Sequence, residues 1–170
     1  SFPGSQDYHQ GGVFEKNGHL KPEADWTFSV IEPLFDYIKK LTGRKNKGYI
    51  LYGFSAGAQF VHRYSWFCPD NRAVKTISAS AGSYTMPDYE SQYPYGLKET
   101  KVPKSNLIKA FSKDITIMVG SADTVLSSAA FPKSPQANKQ GRDRVERTRN
   151  FCNYSGAHAR SGLAPEGSLG

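Results

Sequence analysis

The segment YILYGFSAGAQFVHRY, residues 49–64, decides the fold of this chain. It opens with four apolar residues that do not alternate with polar ones, which is typical of a strand buried on both faces. From Ala56 to about Phe67 the sequence favours a helix, and Cys68-Pro69-Asp70 ends it. Between strand and helix lies Gly53-Phe54-Ser55-Ala56-Gly57, a serine in a tight turn with a glycine two residues away on either side.

The elements on both sides of this segment alternate between helix and strand. A helix is predicted at about 25–41, where apolar residues recur every three or four positions before Gly43. Pro33 predicts either a kink in this helix or the end of a first short piece. Further strands are predicted at 74–77 and 115–119, and further helices at 106–111 and about 138–159, with a long loop from residue 80. This alternation predicts an α/β fold with a parallel sheet, crossover helices and three α/β/α layers.

Composition narrows the possible partners. The 170 residues carry a formal net charge of +7, but the densest basic run, residues 139–150, is interrupted by Asp143 and Glu146, as on a solvated helix face. Neither zinc-finger spacing nor an RNP-like motif accompanies this run, so we expect no nucleic-acid partner. The spacing of His, Cys and carboxylate residues indicates neither a metal nor a cofactor. Cys68 and Cys152 are compatible with one bridge or with two free thiols.

The chain contains no run of 18 apolar residues, so we expect no membrane span. Its first residues, SFPGSQDYHQGG, have neither a basic n-region nor an apolar h-region. These observations do not decide between a secreted and a cytoplasmic location. Oligomeric state is equally open.

Ser55 is the first candidate catalytic residue. A serine hydroxyl becomes a nucleophile when a base takes its proton, and a sharp strand-to-helix turn holds such a serine above the carboxyl edge of a sheet. Small residues at positions 53 and 57 keep the turn uncrowded, and the N–H of Ala56 would face a developing oxyanion. The alternative is a serine with no chemistry in a structural turn, because a five-residue pattern with three fixed letters also occurs by chance.

Asp123 is the candidate acid that would orient the base. It follows the predicted strand 115–119 after a short link, so it is expected at the same sheet edge as Ser55. The chain order serine, then aspartate, then histidine is the one that this type of turn uses. An N-cap or turn aspartate is the alternative role for Asp123, and Asp88 in the long loop is a weaker candidate acid.

The base is harder to place. Of the four histidines, His9 and His19 precede Ser55, and His62 lies about two turns into the helix that follows it. His158 alone follows Asp123, but it falls late in a predicted helix and not in a loop after a strand, so it is a weak candidate base. The motif His9-Gln10-Gly11-Gly12 is similar to an HGGG-type oxyanion loop, but no strand precedes it, and we interpret it as a surface loop near the site entrance.

Taken together, these residues resemble the α/β-hydrolase superfamily, and within it bacterial esterases related to poly(3-hydroxybutyrate) depolymerases and feruloyl esterases. The similar segments are FPG at 2–4, residues 49–64, 68–88 and 94–97, IMVGSAD at 117–123 and the helix at 140–151. The resemblance implies that Ser55 is the nucleophile, Asp123 the triad acid and Ala56 an oxyanion donor. It also implies that residues 1–170 are a single, incomplete domain that lacks the first strands, including the one that provides the second oxyanion donor. The last strand, whose loop carries the histidine, is absent as well.

The sequence therefore predicts a serine hydrolase that acts on small or polymeric carboxylic esters through an acyl-enzyme on Ser55. Its base is expected outside these residues, so activity of the 170 residues alone is doubtful on chemical grounds. The tyrosine-rich loop at 84–95 either lines an acyl or aromatic pocket or packs as an ordinary surface loop. A non-catalytic hydrolase-like binding protein is the alternative from another class. A peptidase or an acyltransferase on the same fold remains open, because the fold does not fix the acyl group.

Overall fold

The computed structural model describes residues 4–125 and 131–162. Three parallel strands form one open sheet in the order β1 (Tyr49–Phe54), β2 (Ala73–Ala79) and β3 (Ile115–Met118). The described helices are α1 (Ser5–Tyr8), α2 (Ile31–Thr42), α3 (Ala56–Phe67), α4 (Lys104–Phe111), α5 (Pro135–Lys139) and α6 (Arg144–Gly162). Consecutive strands are joined through helices, so the predicted α/β class with crossover helices is confirmed.

The predicted helix at 25–41 begins later than its apolar periodicity suggested. Two 3-10 turns, Glu23–Asp25 and Thr27–Val30, precede α2. Pro33 therefore lies in the first turn of α2, where its missing N–H has no intrahelical partner to lose. Of the two alternatives, the first short piece ends before the proline, and Gly43 then caps the helix with a φ of 65°.

The hydrophobic core lies between α3 and one face of the sheet. α3 is buried along nearly its whole length, and Ser78 of β2 donates a hydrogen bond of 3.0 Å to the carbonyl of Ala58. The aromatic rings of this core come from several elements: Phe28, Phe60, Tyr64, Trp66, Phe67, Tyr84 and Phe151. The helix that follows the serine turn thus lies at the centre of the hydrophobic core.

The prediction that β1 is buried on both faces is wrong for the described residues. Ile50, Tyr52 and Phe54 point away from α3 and are 64%, 59% and 61% exposed. The described helices that contact the sheet pack on the opposite face, where Tyr49 and Leu51 meet the core. An apolar run in sequence cannot show which element covers each face, and here one face has no described cover.

The helix predicted at about 138–159 is two helices. Gly141 separates α5 from α6 with a φ of +144°, and a Cβ at this position would lie 2.8 Å from the backbone nitrogen of Arg147. Asp143 accepts the N–H of Glu146 at 2.9 Å, which caps the start of α6. The basic run is also less solvated than predicted, because Arg147 is fully buried.

Two further expectations concern loops and thiols. Residues 80–103 contain no helix or strand, as predicted, and an isolated bridge joins Gln92 to Lys98. The His9–Gly12 loop differs from the surface loop that we expected, since Gly11 and Gly12 are buried and a Cβ on Gly11 would meet the Phe28 ring at 2.1 Å. Cys68 and Cys152 are both free thiols.

Within the described ranges, no helix combines the length and the apolar character that a membrane crossing requires.

Candidate functional site

Ser55 occupies the turn between β1 and α3 in a backbone conformation that non-glycine residues rarely adopt. Its φ and ψ are 54° and −111°. Such a conformation costs about 1–3 kcal/mol and persists where the surrounding structure holds it. Hydrogen bonds do so here: the Ser55 N–H donates to Ala79 O at 2.9 Å, and its carbonyl accepts from Gln59 N at 3.2 Å. The serine is therefore held in a strained turn at the carboxyl edge of the sheet.

The two glycines of the turn have separate reasons for being small. A Cβ on Gly53 would lie 2.1 Å from the carbonyl oxygen of Gly57, so a side chain there would collide with the backbone of α3. A Cβ on Gly57 would lie 3.1 Å from the hydroxyl of Tyr8, a tighter contact than most side chains make. Gly53 lets the helix start directly against the strand end, and Gly57 gives Tyr8 room beside the turn.

Ala56 is the first residue of α3, where backbone N–H groups have no partner within the helix. The partial positive charge of a helix N-terminus favours a nearby anion. The N–H that follows Ser55 can therefore stabilise negative charge on the oxygen of a carbonyl group whose carbon the serine attacks.

Asp123 follows β3, at the same sheet edge as Ser55. The strand register pairs Phe54 with Ala79 and Ala79 with Met118, so the carboxyl ends of β1, β2 and β3 lie side by side. The residues that follow these strands therefore lie at the same edge of the sheet. Two strand spacings separate the ends of β1 and β3, about 10 Å in all, which leaves room for an imidazole between serine and carboxylate. The Asp123 side chain is 25% exposed, and its Oδ1 accepts a hydrogen bond of 3.0 Å from Nη1 of Arg144.

Neither His62 nor His158 is placed to form hydrogen bonds with both Asp123 and Ser55. His62 is buried, its Nε2 accepts the Thr85 N–H at 3.0 Å, and its Nδ1 donates to Ala58 O at 2.9 Å. Burial and the charge of Arg63 lower the pKa of His62 well below its usual value. His158 is exposed and stacks on Tyr154 with a ring separation of 4.2 Å. It follows Arg144 by 14 residues on α6, about 21 Å along the helix axis.

His9 and His19 complete the set. His9 is half-buried, and burial together with Arg63 lowers its pKa to about 4. No described residue contacts its Nδ1 with a hydrogen bond. His19 lies on the exposed turn that returns to the bridge between Phe14 and Leu20. These histidines do not contact Asp123 within the described residues.

Arg63 is a buried residue behind the candidate site that sequence reasoning missed. This fully buried arginine on α3 donates to the carbonyl of His9 at 2.6 Å and to Thr85 Oγ1 at 2.9 Å. A weaker contact of 3.4 Å reaches the carbonyl of Pro94. The His9–Gly12 loop and the tyrosine-rich loop are thereby fixed to the helix behind Ser55. An arginine inside the apolar stretch QFVHRY was the available signal.

The tyrosine-rich loop at 84–95 is partly a packing element. Tyr84 is fully buried, stacks on Phe151 at 4.3 Å and bonds to Thr148 through its hydroxyl at 2.9 Å. Tyr93 donates to the carbonyl of Gln10 at 2.6 Å, so it connects this loop to the His9–Gly12 loop. Tyr89 is exposed. Among the described tyrosines of this loop, Tyr84 therefore packs inside the fold, whereas Tyr93 lines a cavity together with Gln10, Phe14 and Gln92.

In the part of the chain that the structure describes, no three His, Cys, Asp or Glu side chains form a group that could hold a metal ion.

Comparison with known proteins places this arrangement among hydrolases. No family model matches the chain, and no curated protein sequence matches it significantly. A poly(aspartic acid) hydrolase from Sphingomonas sp. KT-1 superposes with a TM-score of 0.92 at 39% identity, over 96% of this chain and 62% of that one. A poly(3-hydroxybutyrate) depolymerase from Bordetella parapertussis superposes with a TM-score of 0.89 at 27% identity, over 96% of this chain and 56% of that one.

The chain thus spans about 60% of the length of these two solved hydrolases. Both likenesses extend over nearly all of this chain, and both proteins are named for breaking down polymers. The fold and the sequence agree: the chain has a partial α/β-hydrolase fold, and its resemblance to that superfamily of hydrolases is confirmed.

Proposed function

We propose that this protein is a serine hydrolase that cleaves carboxylic esters through an acyl-enzyme on Ser55. The observation that carries the proposal is the strained φ of 54° at Ser55, at the junction of β1 and α3. Strain of this kind clusters at sites where it serves a mechanism. The likeness to two polymer hydrolases supports the same reaction class. The proposed substrate is a small or a polymeric carboxylic ester.

In the proposed reaction, Ser55 Oγ attacks the ester carbonyl carbon while a base removes its proton. The carbonyl oxygen becomes an oxyanion, which accepts a hydrogen bond from the Ala56 N–H. Collapse of this intermediate breaks the bond to the alcohol, which leaves with the proton from the base. Water then repeats the sequence on the acyl-enzyme, and Ser55 is regenerated as the acid product departs.

The proposed base is a histidine outside these 170 residues, held by the carboxylate of Asp123. His62 is an unsuitable base because both ring nitrogens already have partners inside the core. His158 would have to act from the far end of α6, which makes it the weaker choice. The low pKa of His9, about 4, would leave it a poor proton acceptor at neutral pH.

Active-site labelling tests the proposal. A fluorophosphonate probe should label the protein of natural length at one serine, and peptide mapping should place the adduct on Ser55. Ser55→Ala should abolish labelling and ester hydrolysis, whereas Ser80→Ala should preserve both, because Ser80 also has a positive φ of 53° but follows β2. Absence of any adduct on Ser55 would favour the non-catalytic binding protein.

A second candidate activity is hydrolysis of amide bonds in an acidic polymer. The 39% identical neighbour is named as a poly(aspartic acid) hydrolase, and a chain of charge +7 would attract a polyanion. Turnover of poly(aspartic acid) should be compared with that of poly(3-hydroxybutyrate) and a p-nitrophenyl ester. Preference for the acidic polyamide, weakened by added salt, would favour this candidate, and an ester preference that is insensitive to salt would favour the first.

A further inference from the structure

The ion pair between Asp123 and Arg144 brings the end of β3 together with the start of α6. The Arg144 Nη1 lies 3.0 Å from Asp123 Oδ1, and both side chains are mostly shielded, with exposures of 14% and 25%. No other described side chain or backbone group donates to this carboxylate. One carboxylate oxygen is therefore occupied, while Oδ2 has no donor among the residues that the structure describes.

Arg144 is held in place from its own helix. Asp143 accepts the Glu146 N–H, and the Glu146 carboxylate accepts the Arg142 N–H at 2.7 Å, so the first turn of α6 is closed on both sides. A residue in a capped first turn has little freedom to swing its side chain away from the strand end.

An aromatic ring fixes the guanidinium itself. Arg144 lies over the Phe131 ring at 5.1 Å, and the buried Arg147 lies over the same ring at 4.1 Å. Arg147 is anchored by the carbonyls of Gly82 and Pro132 at 2.6 and 3.0 Å. Arg147 thus holds the Phe131 ring in place. Arg144 packs on the same ring and donates from Nη1 to Asp123.

The arginine is not fully satisfied by this arrangement. Its Nε is buried, and no described residue accepts a hydrogen bond from it. Burial of an unmet donor lowers stability, so a purely structural role would be served as well by a less polar side chain. An arginine at this position is explained, despite the loss of stability from its buried Nε, if its guanidinium orients the carboxylate of Asp123.

We propose that Arg144 is a positioning residue for the acid of the reaction. It fixes the orientation of Asp123 through Oδ1, so that Oδ2 faces the base. This inference rests on the proposed function, in which Asp123 orients the base. The positive charge of Arg144 also disfavours a protonated base nearby, so it lowers the pH above which the base can accept a proton.

The other charged groups in the described vicinity are engaged elsewhere. Asp143 accepts from the α6 backbone, Glu146 pairs with Arg142 at 3.0 Å, and Arg147 lies behind Phe131 on its carbonyl acceptors. A change in the pH profile on removing Arg144 is therefore attributable to its contact with Asp123.

The test is the pH dependence of ester hydrolysis by the protein of natural length carrying Arg144→Met. We expect kcat to fall about 10- to 100-fold with KM within twofold, and the acid limb of kcat/KM to move to higher pH by about half a unit or more. Arg144→Lys, which keeps the charge but loses the planar fork, should restore most of the pH profile and part of kcat. Arg142→Met is the matched control, because this exposed arginine on the same turn pairs with Glu146 and not with Asp123.

Two further variants separate the possible failures. Asp123→Asn should leave only residual turnover, and adding Arg144→Met to it should reduce that residual rate no further, since the arginine acts through the aspartate. Wild-type kinetics for Arg144→Met beside an inactive Asp123→Asn would overturn the positioning role and leave the proposed function standing. Full activity of Asp123→Asn would overturn the positioning role together with the assignment of Asp123 as the acid, whereas loss of Ser55 labelling would overturn the proposed function itself. If thermal melting shows that Arg144→Met is unfolded, the profile of Arg144→Lys decides: an acid limb that moves to higher pH although the charge is retained overturns the charge argument.

Discussion

Gly53 stands where the end of β1 and the start of α3 approach most closely. In Gly53→Ala the new Cβ would meet the Gly57 carbonyl oxygen at 2.1 Å, and the contact is backbone to backbone, so no flexible side chain can yield. We expect the variant to lose about 3 kcal/mol or more of its free energy of unfolding, as strongly strained substitutions do. Urea unfolding followed by circular dichroism measures this loss.

Gly43→Ala is the matched control for that experiment. Gly43 has a left-handed φ, +65°, which Gly53 does not, and a Cβ at position 43 would have nothing within 4 Å. Its loss should be limited to the conformational cost of about 1 kcal/mol. A loss for Gly53→Ala no larger than that for Gly43→Ala would contradict the claim that the contact with α3 determines the need for glycine at position 53.

His62 makes the stability of the fold depend on pH. Above pH 6.5 this residue is neutral in both the folded and the unfolded chain, so its burial adds no pH-dependent penalty. Below pH 6.5 the unfolded chain takes up a proton that the folded chain, with its lowered pKa, does not. The free energy of unfolding should therefore fall by up to about 1.4 kcal/mol per pH unit as the pH is lowered below about 6.5.

The contribution of His62 can be separated from that of other residues. His9, whose pKa is lowered to about 4, acts in the same direction, so His62→Gln should flatten the slope without removing it. His158→Gln serves as the control, because that residue is exposed and stacked on Tyr154. Unfolding free energies measured at several pH values would contradict the assignment if His62→Gln kept the slope of the parent protein.

At the scale of elements, Glu32 joins α2 to the strand and helix beside it. Its Oε1 accepts from the Tyr49 hydroxyl at 2.6 Å and from the Arg72 N–H at 3.0 Å, and Oε2 accepts from Arg72 Nε. These bonds keep the pKa of Glu32 below its usual value despite the opposing effect of burial. Glu32→Ala should cost about 2 kcal/mol in unfolding free energy, since the hydroxyl and amide donors lose their acceptor.

Asp36 provides the comparison on the same helix. It pairs with the same arginine, Arg72 Nη1, at 2.7 Å, but its side chain is 60% exposed. Solvent screens such a pair, so Asp36→Ala should change stability little. A loss for Asp36→Ala that matched the loss for Glu32→Ala would mean that Arg72 alone, and not the Glu32 network, connects α2 to β1.

The elements that the sequence predicted well are those with strong local signals. The bounds of α3 followed from a strand-to-helix turn and a terminating Cys-Pro-Asp, and the placement of Asp123 at the sheet edge followed from strand order alone. The split at Gly141 was missed because a single glycine inside a helical stretch is tolerated, and only the close approach of Arg147 shows that a glycine is required. Arg144 could not be predicted as the partner of Asp123, since the contact joins a helix start to a strand end 21 residues away with no periodic signal.

At the scale of the whole molecule, the described residues expose apolar side chains on the sheet face opposite α3 and along α2. Ile50, Tyr52 and Phe54 form an apolar row on the sheet face opposite α3, and each is about three-fifths exposed. Val30, Leu34, Tyr37, Ile38 and Leu41 add exposed apolar area along α2. Large apolar patches on a protein surface promote association or mark a surface that another element covers.

A polypeptide of these 170 residues alone should therefore bind the dye ANS and self-associate, whereas the protein of natural length should do so less if its remaining segments cover the sheet. Tyr52→Lys should reduce light scattering and ANS fluorescence of the 170-residue polypeptide, because a charge on this face opposes its burial against another copy. The same charge at Tyr37, on α2, tests whether the sheet or the helix dominates. Weak ANS binding by the unsubstituted 170-residue polypeptide would show that this face is not accessible in solution, and an effect confined to Tyr37→Lys would assign the association to α2.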